Sequence, residues 1–367
     1  MTVSRRPPLR GGALGVGVLG LGGLAACSTA APVPAPTGGA TGGAGATQKI
    51  LWTWPEGFGK KVLDAGAAEF SQYQLRQDII GGDFKQKLTT TFTAGTGLPD
   101  ITGVKGQAKY FVALNPVGAA DIKDAYLDWK WAQATTTDGQ QLGIPIDIGP
   151  TALFYRFDVF EDAGLPSDPV ELAAAIRTWD EYFEIGKELL AKKPDTYLVR
   201  NTGGLFDTVW KQSGKGFIDE NGTFIGDQDH IKNAWTTAMK ALDAGIVATL
   251  ASNTADSAAA VNEGRLPADF GASWHLADLM VDAPDTAGKW HVCEHPGDAT
   301  NNGGSFLTIP AGVSDPAASF ELISFILNPQ NQAYEFEDKG NFPATPASFD
   351  MPEVAGPVEF LGGQKAA

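Results

Sequence analysis

The sequence predicts an α/β protein of two lobes joined by extended crossover segments, and three observations support this. Strand-like and helix-like segments alternate after residue 49, which favours a largely parallel sheet packed against helices. Residues 143–158 form an apolar run that Pro145 and Pro150 hold extended, because proline restricts its own backbone and that of the preceding residue. Residues 301–310 form a second extended segment containing a glycine pair. We interpret both segments as crossovers between the lobes, which makes the first lobe discontinuous.

The first of these segments carries one acidic side chain, Asp147, ahead of Arg156. An acid in an apolar hinge needs a partner or a ligand, so we predict that Asp147 lies at the floor of a binding cleft. Its replacement by alanine is then expected to weaken ligand binding and to leave the ligand-free fold nearly as stable. The alternative is a central strand of a single domain, which the interior prolines disfavour.

The elements of the first lobe follow in order from residue 49. Residues 49–54 are rich in β-branched and aromatic side chains and predict a strand, as do residues 78–80. Apolar residues spaced three or four apart predict a helix after each of these strands, and the second helix is expected to end at Gly95. The sequence around residues 98–102 predicts a return into the sheet.

The second lobe is predicted to be more helical. Thr178 and Glu181 fit a capping box at the start of one helix. A later helix shows an apolar stripe that we interpret as core packing, and Gly245 closes it. The residues of that stripe are Ile231, Trp235, Met239 and Leu242.

The N-terminus has the order of charges and apolar residues that is typical of an export signal. Arginines precede an uncharged apolar run that is short for a membrane-spanning helix and ends in Leu-Ala-Ala-Cys at Cys27. This resembles the bacterial lipobox, so residues 1–27 are predicted to be a lipoprotein signal peptide with lipid attached to Cys27. An ordinary cleaved secretory signal is the alternative, and the export route, general secretory or twin-arginine, stays open. Residues 28–47, mostly Ala, Pro, Thr and Gly, predict a flexible tether.

Composition excludes one class of partner. The 367 residues carry a net charge of −16 with no basic cluster, so nucleic acid is not expected to bind. The chain length suits about two domains. If Cys27 is lipidated, Cys293 has no partner, and no disulfide forms.

Several segments, in this order, resemble the family 1 extracellular solute-binding proteins of sugar-type ABC importers. They are residues 97–100, 143–158 with 163–166, 178–181, 264–274, 303–310 and 341–344. The resemblance implies a two-lobed periplasmic-binding-protein-like fold of type II that closes on its ligand and performs no chemistry on it. It places the first lobe at residues 48–147 plus 304–345 and the second at 148–303 plus 346–367. Relatives usually continue past a segment like residues 359–364, so the second lobe is expected to be short here, by nature or by truncation.

Carbohydrate capture needs aromatic faces to stack on sugar C–H surfaces, and acids or amides to accept hydrogen bonds from hydroxyls. The aromatic candidates are tryptophans at what look like the family's cleft positions, whereas Trp52, two residues from one of them, is assigned to the core. The polar candidates are three acids and a backbone segment. The predicted ligand-binding residues are Trp54, Glu56, Asp100, Asp147, Trp210, Trp274, Gly303, Gly304 and Ser305.

His291, Cys293 and His295 are candidate ligands for a soft metal, because strand alternation would put them on one face. A closed zinc site needs a fourth ligand, and Asp298 is only a loose candidate. We therefore predict no metal and no cofactor.

The resulting prediction is a monomeric, lipid-anchored solute-binding protein on the extracellular face of the cell membrane. It is expected to capture a sugar or oligosaccharide and deliver it to ABC transporter permease subunits. The alternatives are an exported carbohydrate-active enzyme, although no acid pair stands out, a binder of another solute class, or a binding lobe that reports to a sensor. The sequence does not name the sugar, its length or its linkage.

Overall fold

The computed structural model describes residues 47–55, 57–104, 110–219, 221–252 and 254–365. The predicted signal peptide, Cys27 and Glu56 lie outside these residues, as does the predicted tether up to residue 46. The strands are β1 (Thr47–Thr53), β2 (Tyr73–Ile79), β3 (Ile101–Val104), β4 (Ile144–Pro145), β5 (Asp147–Ile148), β6 (Thr151–Arg156), β7 (Ala268–Ala272), β8 (Trp290–Cys293), β9 (Phe306–Thr308) and β10 (Phe342–Pro343). The helices are α1 (Lys60–Glu69), α2 (Phe84–Ala94), α3 (Ala119–Ile122), α4 (Asp128–Ala132), α5 (Phe157–Asp162), α6 (Pro169–Ala175), α7 (Trp179–Lys192), α8 (Thr202–Gln212), α9 (Asp229–Asp243), α10 (Ala255–Asn262), α11 (His275–Asp282), α12 (Pro316–Ile326), α13 (Pro329–Lys339) and α14 (Pro352–Ala355).

The first sheet has five strands in the order β2-β1-β3-β9-β4. Strand β1 is parallel to both β2 and β3, whereas β9 runs antiparallel to β3 and β4. Its core strands bury Leu51, Ile101, Ile144 and Leu307 completely, and α1 and α12 pack together beside it. This agrees with the predicted strand–helix alternation of the first lobe, with one reversed strand supplied from later in the chain.

The second sheet has three strands in the order β7-β6-β8, with both neighbours antiparallel to β6. Leu153 and Tyr155 of β6 are buried in a separate core against Tyr182 and Leu189 of α7. The capping box predicted at the start of α7 is present: the Glu181 backbone N–H donates to Thr178 Oγ1, and the Thr178 N–H donates to the Glu181 carboxylate at 2.8 Å. Two sheets with separate cores are what the two-lobed prediction requires.

The chain passes between the two sheets along paired extended segments. Strand β5 pairs with β10, whereas β6, only two residues later, belongs to the second sheet. At this point the Asn302 N–H donates to the Gly149 carbonyl at 2.8 Å, and the Gly149 N–H donates to Asn301 Oδ1 at 2.8 Å. A Cβ on Gly149 would lie 2.4 Å from the Asn302 carbonyl oxygen, so only glycine allows the two crossovers to run side by side.

A further crossing follows α14, which itself packs against α13. Phe360 and Leu361 are buried in a core beside β8, and the Gln364 side chain accepts from the Val292 N–H and donates to the Val292 carbonyl. The chain therefore ends its described course on the second sheet.

The buried face of helix α9 differs from the one that the sequence predicted. Its buried residues are Ala234, Ala238 and Ala241, whereas Trp235, predicted to lie in the core, is 63% exposed. The alanines let α8 and α9 approach closely, and this close packing selects the small side chains for the interface. Apolar spacing alone favoured the larger residues, because it does not measure how close the neighbouring helix comes.

Candidate ligand-binding cavity

A cavity of about 620 Å³ lies against both sheets and the crossovers. On the side of the first sheet it is lined by Trp54, which follows β1, and by Lys339 at the end of α13. The opposite wall comes from the start of α8, from β7 and from α11, and the crossovers contribute Asp147 and the backbone from Asn302 onward. Side chains from distant parts of the sequence therefore converge on one space.

Six of the predicted site residues line this cavity. They are Trp54, Asp147, Trp274, Gly303, Gly304 and Ser305. Trp52 lies in the core with Leu88 and Phe306, as predicted.

Asp147 ties the two crossovers together. Its side chain is 6% exposed, and its Oδ1 accepts the backbone N–H of Ser305 at 2.7 Å. Gly304 has a φ of +80°, and a Cβ there would lie 2.5 Å from the Asp147 carbonyl oxygen and from Lys130 Nζ. The buried Lys130 donates to the Gly303 carbonyl at 3.3 Å. The floor of the cavity is thus a backbone turn fixed by a buried acid, a buried lysine and an obligatory glycine.

The two cavity tryptophans are half-buried and held from behind. Trp54 packs edge-on against Phe84 with ring centroids 5.8 Å apart, and a Cβ on Gly103 would lie 2.5 Å from its ring. Trp274 donates from Nε1 to the Asn302 carbonyl at 3.3 Å. Each ring is therefore fixed on one side and borders the cavity on another.

Two predicted site residues do not line the cavity. Asp100 accepts the Ile50 N–H at 2.8 Å and the Lys49 ammonium at 3.4 Å, so its carboxylate holds β1 in place. Trp210 donates from Nε1 to Asp207 Oδ1 at 3.0 Å and packs against Phe217. Gly204, Leu205 and Thr208 are the residues of α8 that line the cavity, and Trp210, two positions beyond Thr208 along the helix, points about 200° away from it. Glu56 lies outside the described residues, so its role stays a prediction.

A charged cluster that the sequence did not predict lies on the second wall of the cavity, the wall formed by α8, β7 and α11. Arg200 follows the buried Leu198 and Val199, Asp269 lies on β7, and His275 and Asp278 lie in the first turn of α11. Asp269 falls within residues 264–274, one of the family-like segments, but nothing in the local sequence marks Arg200 or His275 as its partners. These residues meet only because the fold brings their segments together.

The Asp269–His275 pair within this cluster is ionised at neutral pH. Burial lowers the pKa of His275, but the carboxylates of Asp269 and Asp278 outweigh this effect and raise that pKa to about 9. Burial likewise opposes ionisation of Asp269, yet His275 and Arg200 hold its pKa below the usual value. His275 and Asp269 therefore face each other as a charged pair.

The residues weighed for a metal site are not brought together. Strand β8 ends at Cys293, whose thiol is buried in the core, where burial raises its pKa to about 12. His291 stacks on Phe157 with ring centroids 4.2 Å apart, and His295 lies 2.8 Å from Thr151 Oγ1. Among the described residues, no three His, Cys, Asp or Glu side chains are grouped to hold a metal ion.

Two lobes around a cavity crossed by paired hinge strands define a periplasmic-binding-protein fold of type II, a class that binds solutes. The comparison with known families agrees. Residues 64–361 match the bacterial extracellular solute-binding protein family, so the chain belongs to it. This family comprises binding proteins, not enzymes. Within the described ranges, no helix combines the length and apolar character of a bilayer span.

Individual relatives extend over most of the chain. The lactose-binding protein of Rhizobium radiobacter is 26% identical over 346 residues, which cover 87% of this chain and 80% of that protein. The crystal structure of a family 1 extracellular solute-binding protein has a TM-score of 0.76 and 26% identity, covering 86% of this chain and 84% of its own. An ABC transporter associated binding protein from B. animalis subsp. lactis Bl-04, in complex with β-1,6-galactobiose, shares the fold with a TM-score of 0.73 at 22% identity, covering 87% and 83%.

Proposed function

We propose that this protein captures a sugar or oligosaccharide in the cavity between its lobes and delivers it to the permease of an ABC importer. The observation that carries the proposal is the meeting of Trp54 and Trp274, from opposite walls, around a polar floor in one cavity of about 620 Å³. The similarity to a lactose-binding protein supports a saccharide as the solute.

The proposed contacts follow from the chemistry of sugars. Trp54 and Trp274 offer ring faces for the C–H surfaces of a pyranose, and carboxylates accept from its hydroxyls. Asp147 and the backbone of Gly303, Gly304 and Ser305 lie at the floor, where both crossovers meet. A ligand seated there would touch both lobes and the hinge at once.

Such a ligand would favour the closed arrangement, because only that arrangement lets it contact both walls. The sequence-based lobes are residues 48–147 plus 304–345 and residues 148–303 plus 346–367. Because α14 packs on α13, we propose that the first lobe extends to residue 355 and that the last part of the second lobe is residues 356–367. The permease would recognise the closed form.

The proposed location is the extracellular face of the membrane, with a lipid on Cys27 and residues 28–47 as the tether. The protein would act there as a monomer. Mass spectrometry of the exported protein tests the anchor, because a processed lipoprotein would begin at Cys27, after removal of the signal peptide, and would carry acyl mass on that residue.

Ligand-dependent thermal stability tests the saccharide. We expect lactose or another neutral disaccharide to raise the unfolding temperature of the whole protein, because a ligand that binds only the folded state stabilises it. Trp274→Ala should weaken that binding about fivefold to thirtyfold, since stacking on a held aromatic ring contributes on the order of 1–2 kcal/mol.

Trp235→Ala is the matched control, because this tryptophan is exposed on α9 and lies outside the cavity. Its sugar affinity should equal that of the wild type. A rise in the unfolding temperature without chemical conversion of the saccharide supports the binding function. If no saccharide of a broad panel raises the unfolding temperature, the sugar assignment is wrong, and other solute classes should then be tested.

A further inference from the structure

Four charged side chains form an alternating row on the second wall of the cavity. The row, called here the charge network, runs Arg200, Asp269, His275, Asp278. Arg200 contacts Asp269 Oδ2 through Nη2 and Ser257 Oγ through Nη1. His275 Nε2 lies 3.0 Å from the same Asp269 oxygen, and His275 Nδ1 lies 3.3 Å from Asp278 Oδ2. Each cation in the network is therefore paired with a carboxylate.

The network is held rigidly. The side chains of Arg200, Asp269 and His275 are 10%, 14% and 12% exposed. Phe154 packs edge-on against the His275 imidazole with ring centroids 5.4 Å apart. Side chains that are fixed in this way are ordered before a ligand arrives, so binding loses little side-chain entropy to them.

Hydrogen-bonding capacity remains although the charge is cancelled. In the described part of the chain, no hydrogen bond reaches the second carboxylate oxygen, Oδ1, of Asp269 or of Asp278. The His275 Nε2–H contacts Asp269 as an ion pair but is not aligned on that oxygen as a hydrogen bond. The network thus presents free carboxylate acceptors and carries no net charge, whereas His275 Nε2 is itself buried.

This combination fits hydroxyl groups and opposes anions. A hydroxyl can donate a hydrogen bond, so neighbouring hydroxyls can satisfy the unused oxygens of Asp269 and Asp278 together. A phosphate or carboxylate would meet cations that are already neutralised, and would lie near Asp282, a further acid of the same lining. Lys339 is the remaining cation of the lining, on the opposite wall.

We infer that the charge network is the specificity-determining surface of this binding protein, which accepts uncharged polyhydroxylated ligands through neighbouring hydroxyls and rejects anionic solutes. The inference rests on the proposed saccharide function and adds the recognising residues and the charge class of the ligand.

Calorimetric titration of the full chain with matched ligands tests it. The neutral probes are lactose and β-1,6-galactobiose, and the anionic probe is digalacturonic acid, a disaccharide of similar size. We expect at least one neutral probe to bind and digalacturonic acid to bind at least a hundredfold more weakly. Asp269→Asn should weaken binding of the neutral probe at least tenfold. It should also reduce the difference in affinity between the neutral and the anionic probe, because it leaves Arg200 and His275 with one carboxylate fewer.

Two further variants keep the result interpretable. Asp278→Asn removes a more exposed acid of the same network and should change the affinities in the same direction. It serves as the test if Asp269→Asn fails to fold. Asp285→Asn makes the same change of charge at an exposed position outside the cavity and should bind like the wild type. The unfolding midpoint of each ligand-free variant reports folding separately.

The pH profile gives an independent readout. His275 faces Asp269 and Asp278 with Arg200 beyond, and Asp282 and Lys339 complete the charged lining. Binding of the neutral probe should weaken as pH rises through about 9, where His275 loses its proton, and should stay level there in His275→Gln.

The outcomes separate the inference from the function on which it rests. Neutral probes that bind Asp269→Asn and Asp278→Asn as tightly as wild type would overturn the inference and leave the saccharide function intact. Equal binding of digalacturonic acid by the wild type would do the same. If no neutral saccharide binds the wild type, the proposed function fails and the inference fails with it.

Discussion

Replacing Asp147 with alanine should weaken both the fold and ligand binding, and the structure sets the size of each effect. One interaction that the substitution removes is the buried bond from the Ser305 N–H to Asp147 Oδ1, 2.7 Å long. An unsatisfied buried donor costs about 1–3 kcal/mol, so we expect the free energy of unfolding to fall by about 2 kcal/mol. This revises the sequence-based expectation that the ligand-free fold would stay nearly as stable.

Asp147→Asn separates the two roles. The asparagine side-chain oxygen can still accept from Ser305, so most of the lost stability should return. Ligand affinity should remain reduced, because hydrogen bonds to a charged acceptor are about twice as strong as those to a neutral one. Urea unfolding gives the stability of each ligand-free variant, and calorimetry with the bound saccharide gives affinity.

Two results would refute this reasoning. An Asp147→Ala protein as stable as the wild type would mean that the bond to Ser305 does not fix the crossovers. A large loss of stability with unchanged affinity in both variants would mean that Asp147 is a core residue and makes no contact with the ligand.

Two other positions give sharp predictions. Gly304→Ala should destabilise the fold by about 1–3 kcal/mol, because φ is +80° and a Cβ would lie 2.5 Å from the Asp147 carbonyl oxygen. Urea unfolding measures this loss. Gly312→Ala is the control that separates steric overlap from backbone strain, because its φ is also positive but its added Cβ would meet no atom within 4 Å. Burial raises the pKa of Glu335, which accepts the Gly59 N–H, to about 7. A raised carboxyl pKa contributes stability that is complete below its unfolded value of 4.5 and is lost as pH rises through 7. Glu335→Gln should therefore flatten the fall in unfolding free energy between these values, and an unchanged pH slope would contradict this assignment.

The features that could be predicted from sequence are those with local causes. Proline stiffens residues 143–158 wherever they lie, and the Thr178 capping box needs only residues three apart. The position of Trp54, Asp147, Trp274 and the glycine pair at the cavity could be predicted because they lie at strand ends and turns, which the local sequence indicates. The alternation of strands and helices was equally readable along the chain.

Only the tertiary structure decided which side chains meet in the cavity. Arg200 reaches Asp269 across 69 positions of sequence, and no periodicity encodes such a pairing. Asp100 and Trp210 lie outside the cavity because the fold places them against other partners, Lys49 and Phe217. Local backbone preferences act over a few residues, whereas the charge network depends on how sheets and helices pack, and packing joins residues that are far apart in the chain.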